Sequence, residues 1–511
     1  MNEVNSALQK IAKGAGLVFI GTIISNVLGF IGRIIMARYL PVTEYGIFNL
    51  ALTVLGITLT LVVFGIPQLL SREIAYYIDN SPSNLEKIIS TTVIITMVSS
   101  LIGMVVLVGG ANKISSLFDG KMLAEGLRIV ALSLPFSALT SIIISISRGF
   151  GRVWEKVYFQ NIIYPLTWLI IVAFLSTFKF PSVLIFWGYV LFQCLAFVFL
   201  ILHIKKMHLF NFRFSLDVEI AKRVTVSAIP LLFSGILGLL LGWIDVLMLG
   251  YYKTSTEVAI YNVSSTFARL LQMVSSSVGF LYLPTFSYFY INNKTPEMKK
   301  IYQIITKWTF LVMFPLFLGI MTFPKLLITL FFGKEYALAD RSLQILSLRF
   351  LLPAIFGFNW LSLIAIGAQR FLVYSTAISI GVNVFLNSLL IPPYGVEGAA
   401  FATVTSQILA NLLNSFKLYK ELKLHPFSGK FIRLLVISVG LLVGSHSLSL
   451  NTLTIWNVII IMSIFLGIHF ILVLVSRSLD EEDFLMFLLV EKKTGINLKI
   501  IEAILKRFIH K

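Results

Sequence analysis

The sequence holds one cysteine, Cys194, and six histidines in 511 residues. A single thiol excludes an internal disulfide, a cysteine-held iron–sulfur cluster and a cysteine zinc site. Charge is scarce as well: Asp, Glu, Lys and Arg make up 13% of the chain, against about 25% in an ordinary soluble domain. A soluble chain this long folds as several domains, each needing a charged surface, and the polar residues here are too few to clothe them. Acids are scarcer than bases, 23 against 41, which leaves a formal net charge of +18. What is present is apolar: 58% of residues are hydrophobic and the mean hydropathy is +0.92. Stretches such as Val93–Val108 and Ile455–Val475 do not alternate polar with apolar, as lipid-facing β-barrel strands must. The chain therefore reads as an all-α polytopic membrane protein.

A helical span needs roughly 20 mostly apolar residues. Fourteen segments qualify, near 15–36, 45–66, 88–109, 127–147, 157–178, 182–202, 224–249, 258–289, 308–332, 343–366, 372–391, 396–416, 431–449 and 455–475. Lys10 and Lys13 precede the first as a signal peptide's basic region would. That segment is longer than a signal-peptide core and no small-residue cleavage pattern follows, so a retained helix is expected. Basic residues set the orientation. With the N-terminus in the cytoplasm, 29 of the 41 fall in cytoplasmic segments, 9 in outer ones, and Arg33, Arg269 and Arg349 lie within spans. This places both termini in the cytoplasm. It also explains the positive charge without nucleic acid, since basic loops rest against anionic lipid headgroups.

The chain repeats itself at an offset of about 213 residues. Glu44 falls on Glu257, Phe48 on Tyr261, Asn49 on Asn262 and Thr53 on Thr266; Phe118, Gly120 and Lys121 fall on Phe331, Gly333 and Lys334. That offset is too long for a solenoid. It fits two six-span lobes of like orientation, related by an axis along the membrane normal. The expected division is an N-terminal lobe at 1–205, a C-terminal lobe at 206–425, two further helices at 426–476, and a cytoplasmic amphipathic tail at 477–511. In that tail Ile500, Ile501, Ile504, Leu505 and Phe508 form an apolar stripe beside basic residues. Asp480-Glu-Glu-Asp483 reads as the N-terminal acid cluster of a tail helix, not a metal site.

Polar side chains inside spans must face protein or water. Asn262, Ser265, Thr266, Arg269, Gln272 and Ser276 recur at helical spacing and form one face. The first span carries Thr22, Ser25, Asn26, Gly29, Gly32 and Arg33, the second Asn49 and Thr53, the seventh Ser234, Gly238, Gly242 and Asp245. These faces are expected to meet across a central cavity, although rows of Gly and Ser also serve as close-packing seams. Asp245 is the one clearly intramembrane acid against three arginines. An Asp245–Arg33 contact, structural or functional, fits the repeat, because Asp245 is equivalent to Gly32. A net positive, hydrated cavity suits an anionic guest, and guanidinium suits phosphate through bidentate contacts. Pro67, Pro135, Pro165, Pro230, Pro284, Pro315 and Pro353 mark candidate bends. His469, alone on an apolar span, reads as a packing or lipid-interface residue and not a ligand.

Three stretches resemble the polysaccharide-transporter branch of the multidrug/oligosaccharidyl-lipid/polysaccharide exporter superfamily. They are Arg38-Tyr-Leu-Pro-Val-Thr-Glu-Tyr-Gly-Ile-Phe48; Asp245-Val-Leu-Met-Leu-Gly250 with Tyr261-Asn262; and Gly381-Val-Asn383 through Asn387, continued by Ile391-Pro-Pro-Tyr-Gly-Val-Glu-Gly-Ala-Ala400 and Ala402-Thr403. The resemblance implies a fourteen-helix, two-lobed fold. It also implies a non-enzymatic flippase that moves a polyprenyl- or dolichyl-(pyro)phosphate-linked oligosaccharide to the outer leaflet by alternating access, in polysaccharide or glycan biosynthesis. In that setting Arg33, Arg269 and Arg349 attract phosphate, while Asn26, Asn49, Asn262 and Gln272 bind sugar or water. Partners are then the lipid-linked glycan, membrane lipids and polysaccharide-assembly proteins, with the chain itself a monomer. No cofactor or metal is expected; sodium or proton coupling through Asp245 stays open. The alternatives are a cation-coupled drug exporter, a flippase for lipid-linked peptidoglycan precursor, and, in another class, a membrane glycosyltransferase or polymerase. The last needs a sizeable outer loop or an acidic metal cluster, neither of which the sequence offers.

Overall fold

The structure is a computed structural model describing residues 2–80, 82–118, 121–152, 154–207, 215–446 and 455–475. The amphipathic tail and Asp480–Asp483 lie outside the described residues. Among the described residues the regular structure is helical. Among these described residues eight helices are long and apolar enough to cross a membrane, or ten when each of two bent pairs forms one span. The protein is thus an all-α, multi-pass membrane protein.

Bends account for much of the difference between this tally and a count of apolar segments. The pair Met122–Ala131 and Leu134–Gly149 meets at 43°, and Lys334–Phe356 meets Asn359–Ala365 at 52°. Elsewhere two segments run together. Gln369–Leu422 would measure about 81 Å as one straight helix, more than twice the roughly 30 Å of a bilayer core. Gly395, at φ 52° and ψ −126°, interrupts it and separates two helices. That is where the sequence places the gap between 372–391 and 396–416. Of the candidate prolines, Pro67 and Pro135 sit in the first turns of helices that begin at Ile66 and Leu134. There the missing N–H has no helical partner to lose, so these two start helices instead of kinking them. Pro165 lies inside a continuous span, where the π-helical turn Lys156–Ile163 passes into the α-helix Tyr164–Thr177. Pro230, Pro284, Pro315 and Pro353 do lie inside helices.

The chain forms two compact units. The first takes in Met1–Thr266, Phe331–Ala337 and Ile380–Ala402; the second Phe267–Leu330, Leu338–Ser379 and Thr403–Lys511. The chain passes from one to the other between Thr266 and Phe267, inside the segment read as the eighth span.

Lipid tails are as apolar as leucine, so close packing and buried polar contacts hold such helices together. In the first unit Ile66, Leu70 and Ile74 interlock with Ile88, Ile142, Ile146 and Ala228. The Ser71 hydroxyl donates across the same seam to the Ser145 carbonyl, 3.0 Å away. In the second unit Tyr282, Phe286, Met298, Tyr302 and Phe358 form an aromatic core. The Tyr302 hydroxyl closes the bend after Phe356 by donating to its carbonyl at 2.6 Å. Asn359 is buried there and donates to the Asn411 carbonyl and side chain and to Ser415, at 3.0–3.2 Å. His469 is buried against Phe314, with ring centroids 5.1 Å apart, as a packing residue should be.

Candidate functional site

The repeat read from sequence has a direct counterpart in side-chain geometry. Asn49 donates to the carbonyl four residues earlier, Tyr45, at 2.7 Å; its equivalent Asn262 donates to the Val258 carbonyl at 2.9 Å. The equivalent residues Thr43 and Thr256 touch each other, with hydroxyl oxygens 3.2 Å apart. A contact between equivalent residues is what a pseudo-two-fold axis requires of whatever lies on it. Beside it the chains approach so closely that a Cβ on Gly46 would stand 1.7 Å from the Ser255 carbonyl oxygen. Only glycine fits at that point.

The stretches that carry the family resemblance, as far as Ala402, gather in this first unit. At their centre Asp245 is 3% exposed. Its Oδ2 accepts from the Tyr261 hydroxyl at 2.7 Å; its Oδ1 accepts from the Asn387 amide at 2.8 Å and the Asn383 amide at 3.1 Å. Asn387 also donates to Asn383 Oδ1 at 3.1 Å, while its own Oδ1 is buried without a hydrogen bond. An ionised carboxylate away from water needs such donors. Arg33 is not among the partners found for it: its guanidinium donates to Thr266 Oγ1 at 2.8 Å. The contact between Arg33 and Asp245 expected from sequence is therefore replaced by two separate sets of bonds. Asn383 and Asn387 were visible in the third motif. Their pairing with an acid 138 and 142 residues away was not, because helical spacing reveals a face and not its neighbour.

The Pro-Pro-Tyr-Gly-Val segment has a packing role. At Gly395, where φ is positive, a Cβ would come within 2.3 Å of Glu257 Oε2. The carboxylate accepts from the Val396 N–H, while Oε2 is buried without a partner. Burial raises the Glu257 carboxyl above its usual range; nearby Lys253 and the Val396 N–H act in the opposite sense. Glu44, its repeat equivalent, likewise has a buried, unpartnered Oε2.

The remaining expected site residues divide between the units. Asn26 is exposed on the helix Asn2–Tyr39 of the first. In the second, Arg269 stands at a break between the helices Ser255–Ala268 and Leu270–Ile291. This corrects the picture of one continuous helical face from Asn262 to Ser276. Arg269, Gln272 and Ser276 are nonetheless all exposed at helical spacing, and form a polar stripe that runs from the break into the helix Leu270–Ile291. Arg349 is half-buried, its guanidinium carbon 5.5 Å from the Phe350 ring centroid. Among the described residues no three His, Cys, Asp or Glu side chains are grouped to hold a metal.

The fold and the motifs have known counterparts. The solved structure of the inward-facing conformation of a multidrug resistance MATE family transporter of the MOP superfamily superposes with a TM-score of 0.63 at 15% identity, covering 78% of this chain and 94% of that one. A point mutant of the Vibrio cholerae MATE transporter VcmN gives 0.56 at 13% identity, with 82% and 99% covered. In sequence, the probable low-salt glycan biosynthesis flippase Agl15 of Haloferax volcanii is 23% identical over 410 residues, which is 79% of this chain and 83% of that protein. The capsular polysaccharide biosynthesis protein CapF of Staphylococcus aureus is 26% identical over 230 residues, 43% of this chain and 55% of that protein. A MatE family model matches residues 230–389. Residues 11–290, more than half of the sequence, match the model for polysaccharide biosynthesis proteins, and the chain belongs to that family, with a MATE-like fold.

Proposed function

We propose that this transporter flips a polyprenyl- or dolichyl-pyrophosphate-linked oligosaccharide across the cytoplasmic membrane for glycan biosynthesis. A sugar headgroup and a pyrophosphate cannot cross hydrocarbon unaided, since many polar atoms would lose water together. A hydrated furrow removes that cost while the lipid tail stays in the bilayer. The observation that carries this reading is the exposed stripe of Arg269, Gln272 and Ser276. A guanidinium at mid-membrane costs roughly 2.5 kcal/mol or more unless it meets water or an anion, so the stripe belongs on a wet surface. Membership of the polysaccharide biosynthesis family supports the glycan, as do the names of the Haloferax and Staphylococcus relatives.

In this reading fourteen spans form two six-helix lobes, 1–205 and 206–425, with two helices beyond them and both termini in the cytoplasm. Arg33, Arg269 and Arg349 attract the phosphates, and Asn26, Asn49, Asn262 and Gln272 bind sugar or water. Rocking of the lobes opens the furrow to each leaflet in turn. An inside-negative potential assists outward movement of an anion by roughly 2.3 kcal/mol per charge per 100 mV. Asp245 is the coupling group. Its carboxylate, with the two amides that can turn an oxygen toward a hard cation, offers the oxygen donors sodium prefers, or a place for a proton. The test is glycan export by cells that carry Arg269→Ala. Loss of export with the protein still folded supports the reading, and normal export removes Arg269 from it.

A further inference from the structure

Away from Asp245, the first unit holds a cleft of about 320 Å³ between the helix Ile66–Asn80 and the start of the helix Val218–Tyr252. Its floor is the apolar core under Val224, and its walls are polar: Arg72, Glu73, Tyr76 and Tyr77 on one helix, Arg223 and Ser227 on the other. The two arginines differ in state. Arg223 is clamped, donating to the Tyr77 hydroxyl at 2.8 Å and standing 3.7 Å from Glu73 Oε2. Arg72 is exposed and makes no hydrogen bond or ion pair among the described residues. Tyr76 is 61% exposed and meets Tyr77 edge-on, with ring centroids 5.2 Å apart.

We infer that this cleft binds the sugar phosphate of a lipid headgroup, and loads it from the cytoplasmic leaflet before translocation. The inference rests on the flippase reading for its direction of traffic, since the same basic bias places Arg72 and Arg223 at the cytoplasmic end. The chemistry of the lining is specific. A free guanidinium beside a clamped one offers forked donors to phosphate oxygens. A bare phosphate site would not keep a carboxylate in its wall, because Glu73 would repel it. A sugar uses that carboxylate: hydroxyls donate to Glu73 and exchange bonds with Ser227 and the tyrosine hydroxyls, while an aromatic face covers C–H groups. The volume stands at the small end of ligand pockets, about 300 to 1,000 Å³, and suits one sugar with its phosphate but not a whole oligosaccharide. Set among exposed apolar residues such as Val226, the cleft can be reached by a headgroup whose tail remains in lipid.

The test uses the full chain in nanodiscs, titrated with glucose 1-phosphate, with inorganic phosphate, and with phosphatidylglycerol added to the discs as competitor. Wild type binds glucose 1-phosphate at least tenfold more tightly than inorganic phosphate. Arg72→Gln, with an unchanged melting temperature, loses at least tenfold of that affinity, and Arg72→Lys recovers only part. Tyr76→Ala weakens glucose 1-phosphate without altering inorganic phosphate, and Glu73→Gln narrows the preference between the two. A protein that binds in this pattern but flips nothing contradicts the flippase reading and leaves the site standing. Equal affinity for both phosphates, indifference to Arg72→Gln and Tyr76→Ala, or displacement by phosphatidylglycerol overturns the site.

Discussion

Single residues carry the sharpest expectations. Arg269, at the break between two helices, is exposed together with Gln272 and Ser276, and its replacement is expected to act on transport: Arg269→Ala should abolish glycan export while the melting temperature in detergent stays within a few degrees of wild type. Asp245 is the opposite case. It is buried with three donors aimed at it, and Asp245→Asn leaves those donors without a charged acceptor. Losing a charged partner in a buried network costs about 1–3 kcal/mol, so this variant should melt lower and lose any dependence of transport on a sodium or proton gradient. Glu257 adds a pH dependence. Its carboxyl is raised in the folded state, so the fold favours the neutral form. Its contribution to stability is complete below the usual carboxylate value of 4.5 and is lost as pH rises from there through the raised folded value. Glu257→Gln keeps an acceptor for Val396 without the charge. Its melting temperature relative to wild type should therefore climb between pH 4.5 and 8, and a flat difference would remove the argument. Arginines and a lone acid within apolar runs were legible from sequence because each is costly there. Their partners were not: nothing local to Arg33 points to Thr266, or to Asp245 points to Asn387.

At the scale of helices, the apolar segments located the spans but not their breaks. The sequence spacing from Asn262 to Ser276 is unbroken, yet the helix is interrupted at Arg269, three residues after the chain leaves the first compact unit at Thr266. A regular spacing of polar residues is blind to a single turn of altered backbone. Gly395 was easier to read, since Pro-Pro-Tyr-Gly cannot continue a helix indefinitely and a glycine can take the positive φ found there. The repeat at 213 residues was also legible, and it recurs as the contact of Thr43 with Thr256. Close approach of the helix starts at that contact gives a prediction. Gly46→Ala pushes a methyl group into the Ser255 carbonyl, where backbone on both sides must move. The cost is about 3 kcal/mol, the upper end for overpacking. It should appear as a lower melting temperature and poor yield, whereas alanine at Gly29, which has nothing within 4 Å of the added carbon, should be tolerated.

For the molecule as a whole, composition alone decided the class: 13% charge and 58% apolar residues leave no other home than a membrane for 511 residues. The distribution of Lys and Arg further predicts that a tag at either terminus faces the cytoplasm, which protease protection in right-side-out vesicles checks. Family and fold agree with a transporter, and the proposed substrate is an anionic lipid-linked glycan. The most direct measurement places the purified chain in liposomes with a fluorescent polyprenyl-pyrophosphate disaccharide and follows loss of signal to a membrane-impermeant quencher. The account predicts that wild-type protein moves the quenchable fraction from about half toward completion at least tenfold faster than empty liposomes, with Arg269→Ala at the empty rate. Wild-type protein that leaves the lipid at the empty-liposome rate, with an imposed potential and ion gradient, would contradict it.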